Sequence, residues 1–204
     1  MDNDQIRAIE HELKALFRER KFAESEELLR SALAKVDTAD IETRVILWKQ
    51  LKYLSPFLEA QEAGQTEAIY LEIETLEDTA YNRLQTAMFY YVLRHDAPRA
   101  APKAREAIRK ARETDESAVI YQALALLGRT LLDMGETHEP ERILAEIEQR
   151  ILALKKCVPG DETWFLESAA KHGVGLETVR RIAKLIGPHC REEQFVRRLK
   201  ALED

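Results

Sequence analysis

The chain has 204 residues, 45% of them hydrophobic and 33% charged, with a formal net charge of −6. That balance excludes an intrinsically disordered chain, and the acidic excess argues against a general polyanion binder. Few prolines and glycines, together with abundant Ala, Leu, Glu, Arg and Lys, predict an all-α fold. No alternating run of β-branched residues argues for a sheet. The N-terminal Met1-Asp2-Asn3-Asp4 is not followed by an apolar core, so no secretory signal is expected. No apolar run reaches the ~20 residues of a membrane span. Cys157 and Cys190 stand without a partner motif, which reads as free thiols in a reducing, cytoplasmic setting. Residues 155–204 carry 10 basic and 8 acidic side chains, net +2, whereas the preceding part carries 21 and 29, net −8.

In chain order, Ile6, Ile9, Leu13, Leu16 and Phe17 recur at helical spacing, and Phe22, Leu28, Leu29, Ala32 and Leu33 form a second stripe. The short charged break at residues 18–21 predicts an antiparallel hairpin. Residues 37–40 offer N-caps for a third helix carrying Ile41, Val45, Trp48 and Leu51, which Ser55-Pro56 interrupts. Gly64-Gln65-Thr66 reads as a turn before a fourth helix through Ala68, Ile69, Leu71, Ile73 and Leu76. Residues 81–93 form a fifth helix. Pro98 suits the first turn of a sixth, alanine-rich one ending near Glu113. Residues 114–117 cap the seventh, which runs to Met134, and 139–156 make the eighth. The result is eight helices in four hairpins.

Two glycines interrupt the seventh pattern. Glycine costs about 1 kcal/mol against alanine in a helix, so both positions predict a structural need. Gly128 would admit a close neighbouring helix, and Gly135 would end the helix in a tight turn. The sixth helix sets Arg99, Lys103, Arg105, Arg109, Lys110 and Arg112 against Glu106 and Glu113. This basic face is either plainly solvated, opposite Ala100, Ala104, Ala107 and Ala111, or a contact for an acidic partner or nucleic acid.

Several positions carry a family pattern. Phe22 and Ala32 mark the first hairpin, Trp48 and Leu51 the second, Tyr91, Ala100 and Ala107 the third, and Leu127-Gly128 with Gly135 the fourth. Over about residues 5–154 the chain resembles a degenerate tetratricopeptide-repeat protein. Comparable positions lie 75 and 40 residues apart, which departs from a strict 34-residue period. The resemblance implies a right-handed α-solenoid of about four antiparallel hairpins with a C-terminal helical cap. Domains are then expected at 1–156 and 157–204.

In such proteins the first helix of each hairpin lines a concave groove that holds an extended or helical peptide. Matching positions are Arg7, Glu10, His11 and Lys14, then Asn82, Gln85 and Phe89, then Gln122, Ala125, Arg129 and Asp133. The lysine–asparagine pair that clamps a terminal carboxylate in some members is absent from them. Of the aromatic cluster Tyr81, Phe89, Tyr90 and Tyr91, Tyr91 is expected to point inward. Neighbours on a helix diverge by about 100°, so Phe89 or Tyr90 should be partly exposed, with Phe89 the contact residue.

Residues 165–182 resemble a helix-turn-helix, with Ala169 four residues before Gly173, and with Val179 and Ile182 at packing positions. Ser168 and His172 depart from it, standing where the family is apolar. That reading places Glu177, Thr178, Arg180, Arg181 and Lys184 on or beside a recognition helix. The other reading makes Phe165, Ile182, Leu185, Ile186, Phe195, Val196 and Leu199 a cap for the solenoid end. The amphipathic last helix also suits a homodimer contact.

Catalytic signals are few. The histidines form no ligand pair at i, i+4, and Pro140 and Arg142 remove the zinc motif that His138-Glu139 begins. There is no phosphate-binding glycine loop, and His189-Cys190 point apart on a helix. The expectation is a non-catalytic adaptor, without metal or cofactor, that binds a protein or peptide. The alternative is a regulatory protein that contacts DNA through its C-terminal segment.

Overall fold

In the computed structural model, which describes residues 3–58, 63–154, 161–190 and 193–203, every regular element is helical. The chain divides into two compact units, Met1–Asp78 and Thr79–Asp204. This division differs from the expected boundary near residue 157, which itself lies outside the described residues. The helices beyond it belong to the second unit.

Unit one contains α1 (Asn3–Arg18), α2 (Phe22–Lys35), α3 (Ile41–Leu54) and α4 (Ala63–Leu76), each packed on its neighbour in sequence. Their apolar stripes meet in a core of Leu13, Leu29, Leu47, Leu51, Ile69 and Ile73. The Asp40 carboxylate caps α3 by accepting the Thr43 N–H at 3.2 Å, as the sequence signal predicted. Gly64 corrects the sequence reading: it lies in the first turn of α4 and not in a turn before it. Ser55-Pro56 extends α3 by a 3₁₀ turn, Ser55–Phe57, because proline at the second position needs no intrahelical donor.

Unit two contains α5 (Ala80–Met88), which continues as a π-helical segment Phe89–Leu93, then α6 (Ala97–Glu113), α7 (Ser117–Asp133) and α8 (His138–Leu154). After these come α9 (Asp161–Lys171), α10 (Leu176–Ile186) and α11 (Glu193–Lys200). Consecutive helices pair as α5–α6, α7–α8 and α9–α10. Helix α7 touches α5, α6, α8 and α9, while α10 rests on α8 and α9. The alanines of α6 explain its close approach to both neighbours. Ala100, Ala104, Ala107 and Ala111 are fully buried on one face, where a larger side chain would hold the helix axes apart.

Helix α7 ends as its sequence predicts. Gly135 takes a left-handed φ of +82°, its N–H donates to the Leu132 carbonyl, and the Glu136 N–H donates to that of Leu131, both at 2.9 Å. These two bonds satisfy carbonyls that the helix end would otherwise orphan. Gly128 answers the other expectation. A Cβ there would lie only 2.3 Å from the ring of Phe165 from α9, and Phe165 is fully buried. The α7–α9 contact therefore requires a hydrogen where other residues carry a methyl. Gly128→Ala should destabilise unit two by about 1–3 kcal/mol through overpacking, despite alanine's better helix propensity. Urea unfolding followed by circular dichroism measures this. Adding Phe165→Leu should return part of the loss, because it vacates the space that the methyl needs.

Candidate protein-binding face

Helices α5, α7 and α9 adjoin in that order, so their solvent-facing side chains form one surface of unit two. On α7 a step of about 100° per residue gathers Gln122, Arg129 and Asp133 on one side and Leu124 and Leu127 on the other. Gln122 and Asp133 are exposed and Arg129 is half-buried.

The centre of this surface is Tyr91, from the π-helical segment that follows α5. Its hydroxyl donates to Asp133 Oδ2 at 2.6 Å, and its ring centroid lies 5.1 Å from the Arg129 guanidinium. Arg129 and Asp133 are spaced for an i, i+4 ion pair, yet Tyr91 takes one on its ring and the other on its hydroxyl. Trp164 of α9 reaches the same guanidinium at 5.7 Å and receives Arg198 of α11 at 3.8 Å on its ring. Arg198 is fixed in turn by a two-pronged ion pair with Glu167. Tyr91, Val92, His95, Ala97, Arg129 and Asp133 enclose an open cavity of about 370 Å³. Val92, Leu93 and Trp164 are exposed large apolar side chains. Burial, and next the hydrogen bond to the Asp133 carboxylate, push the Tyr91 hydroxyl up to about 12, with Arg129 opposing.

The sequence-predicted residues meet different fates. Gln85 is half-buried, with its amide 3.8 Å from Met88 Sδ. Asn82 and Ala125 are buried. Phe89 corrects the expectation of an exposed contact residue, since it and Tyr90 are both buried, at 2% and 3% exposure. The physical reason is the π-helical segment, where the Arg94 N–H reaches back to the Phe89 carbonyl. More residues share each turn there, so adjacent side chains diverge less than in an α-helix, and two aromatics turn inward together. Exposure passes to Val92 and Leu93 instead. In unit one, Arg7, His11 and Lys14 share one exposed face of α1.

Sequence reasoning missed Trp164 and Arg198. A signal for the first was present: once Phe165 is assigned to the Gly128 opening, its neighbour Trp164 falls beside Arg129, one residue further along α7.

Of the helix-turn-helix candidates, Thr178, Arg180 and Arg181 are engaged within the protein. Arg181 forks onto Glu148 of α8 at 2.6 and 3.0 Å, and its guanidinium also donates to Thr178 Oγ1 at 3.1 Å. Arg180 pairs with Glu177 at 3.0 Å. Lys184 is exposed. Helix α10 thus turns its Arg181 side toward α8.

No family model and no curated protein matches the sequence. The structure is similar to the crystal structure of BtubC (BKLC) from P. vanneervenii. The TM-score is 0.58, and identity is 18% over 97% of this chain and 79% of that one. The likeness is one of fold. Among the described residues no helix is long and apolar enough to cross a membrane, and no group of three or more His, Cys, Asp or Glu is placed to hold a metal ion.

Tyr91 gives this surface a measurable signature. A hydroxyl whose pKa is raised on folding contributes stability that is whole below its unfolded value of 10 and is lost as pH rises toward 12. Absorbance titration of the phenolates should show a component near pH 12 that shrinks by one tyrosine in Tyr91→Phe and in part moves down in Asp133→Asn. A wild-type titration complete by about pH 11 would contradict the Tyr91–Asp133 arrangement.

Proposed function

We propose that this chain is a non-catalytic, tetratricopeptide-like helical-repeat adaptor of the cytoplasm that binds a protein or peptide along the α5, α7 and α9 face. The observation that carries this reading is the organisation of that face around Arg129. A cation clasped between the rings of Tyr91 and Trp164, beside a cavity and next to exposed Val92, Leu93 and Trp164, is pre-organised for contact. Aromatic and arginine side chains at low entropic cost are what protein interfaces concentrate at their centres. Consecutive pairing of α5–α6, α7–α8 and α9–α10 supports a repeat architecture, in which alternate helices present a continuous surface. Within this reading the partner is recognised by shape and charge, with no chemical step.

The DNA-contact alternative has weaker physical support. Of its three cations, Arg180 and Arg181 already face carboxylates. An incoming phosphate would have to displace both glutamates before any counterion release could be gained.

The adaptor reading is tested by a photo-crosslinking amino acid placed at Gln122, with a control at Lys184, exposed on α10. Crosslinks from position 122 to a discrete partner, reduced by Arg129→Glu in a protein that melts like wild type, are the expected outcome. Equal yields from both positions, or yields indifferent to Arg129→Glu, would refute it.

A further inference from the structure

The opposite side of α7 carries a second surface that the adaptor reading does not use. Helices α6 and α8 both rest on α7, and between them runs a groove of about 1180 Å³ with Leu124, Leu127, Ile108 and Ile143 along its base. Each wall is a 17-residue helix, about 25 Å long at 1.5 Å per residue. Five arginines and three glutamates line it.

The pairing of these charges is uneven. Arg105 bonds Glu139 at 2.6 Å, and Arg112 bonds Glu146 at 2.7 Å, so two bridges span the groove seven residues apart on each wall. Arg109 pairs along its own helix with Glu113. Glu146 is shared, since Arg150 also reaches it at 2.9 Å. Arg142, exposed on α8, faces no carboxylate at ion-pair distance among the described residues. The groove therefore keeps an excess of two positive charges over an apolar base. It does so in a chain whose net charge is −6.

We propose that this groove docks an acidic amphipathic helix of a partner protein. The occupant's form follows from the walls: two parallel-running helices, bridged above a buried apolar base, accept a helix whose apolar stripe lies along Ala145, Ala153 and the arginine stems. Its charge follows from the arginines, because carboxylates on the flanks of that stripe complete the valences of Arg142 and of the doubly shared Glu146 site. The surface lies about half a turn of α7 away from Arg129, so it is separate from the adaptor face and does not depend on it.

The probe is a fluorescein-labelled peptide of roughly 18 residues, with leucines at i, i+3, i+4 and i+7 spacing and glutamates on either side. Fluorescence anisotropy should show saturable binding that weakens as salt rises and is lost when glutamine replaces glutamate. Arg142→Glu should weaken it about tenfold or more. Because Arg142 has no partner to lose, this variant should melt like wild type. Ala145→Glu, an exposed residue on the same wall, should give a similar loss without touching an arginine. Arg129→Glu should leave the peptide's affinity unchanged.

Equal binding of the glutamate and glutamine peptides, or no saturable binding, would overturn the proposal. So would a larger loss from Arg129→Glu than from Arg142→Glu, which would assign acidic recognition to the adaptor face instead. An oligouridylate of matching charge that binds more tightly and displaces the peptide would overturn it in favour of nucleic acid.

Discussion

Gly128 leaves an opening on α7 only as wide as a missing methyl, and the ring of Phe165 occupies it. Much of unit two follows from that contact. With Phe165 seated, α9 runs against α7 closely enough for the adjacent Trp164 to stand over the Arg129 guanidinium. The same placement lets α10 reach α8, where Arg181 meets Glu148, and lets Arg198 of α11 close on Trp164 and Glu167. A side chain at position 128 would push α9 outward and loosen each of these contacts in turn. Packing at one buried point thus sets the geometry of exposed charges some distance away.

The turns between helices rest on a second constraint, left-handed backbone. Gly135 and Gly173 provide it without strain, but the same conformation occurs at Arg20, His95 and Asp115, with φ between 52° and 58°. At Arg20 and Asp115 the following N–H groups return to carbonyls five residues back, Lys21 to Leu16 and Glu116 to Ala111. One turn form therefore recurs whether or not glycine is present. At the non-glycine sites the helices on either side hold the backbone in a region that costs about 1–2 kcal/mol.

This explains which parts of the fold were legible in the sequence. Helices announced by apolar period appear where expected, because stripes such as Ile143, Leu144, Ile147 and Ile151 have one way to be buried. The two glycines of α7 carried their roles openly. The second unit's extent did not show. The contacts that bind α9 and α10 to α7 and α8 join residues more than thirty positions apart, and a local change of composition near residue 157 looked like a boundary instead. Phe89 was misread for a related reason. A regular 100° step forbids Phe89 and Tyr90 from turning inward together, and only a π-helical segment permits it. The Gly64 turn failed because glycine is tolerated at a helix start, where its conformational cost is small.

The candidate site was half legible, and the half that was missed shows how such a surface is built. Arg129 could be placed on the right side of α7 from its period alone. What gives it character is the set of groups brought by other helices: the ring and hydroxyl of Tyr91, and the indole of Trp164. Had Arg129 simply paired with Asp133 one turn along, the two charges would have cancelled on the helix surface, for the few tenths of a kcal/mol typical of such pairs. Tyr91 prevents that by holding each charge separately, and its own burial raises the hydroxyl's pKa and keeps it a donor. The opposite side of α7 treats charge differently, stapling arginine to glutamate across the α6–α8 groove until carboxylates run out and Arg142 remains. A single helix thus separates two electrostatic surfaces, one arranged by aromatic rings and the other by an excess of arginine. Its buried faces supply the rigidity that keeps them distinct.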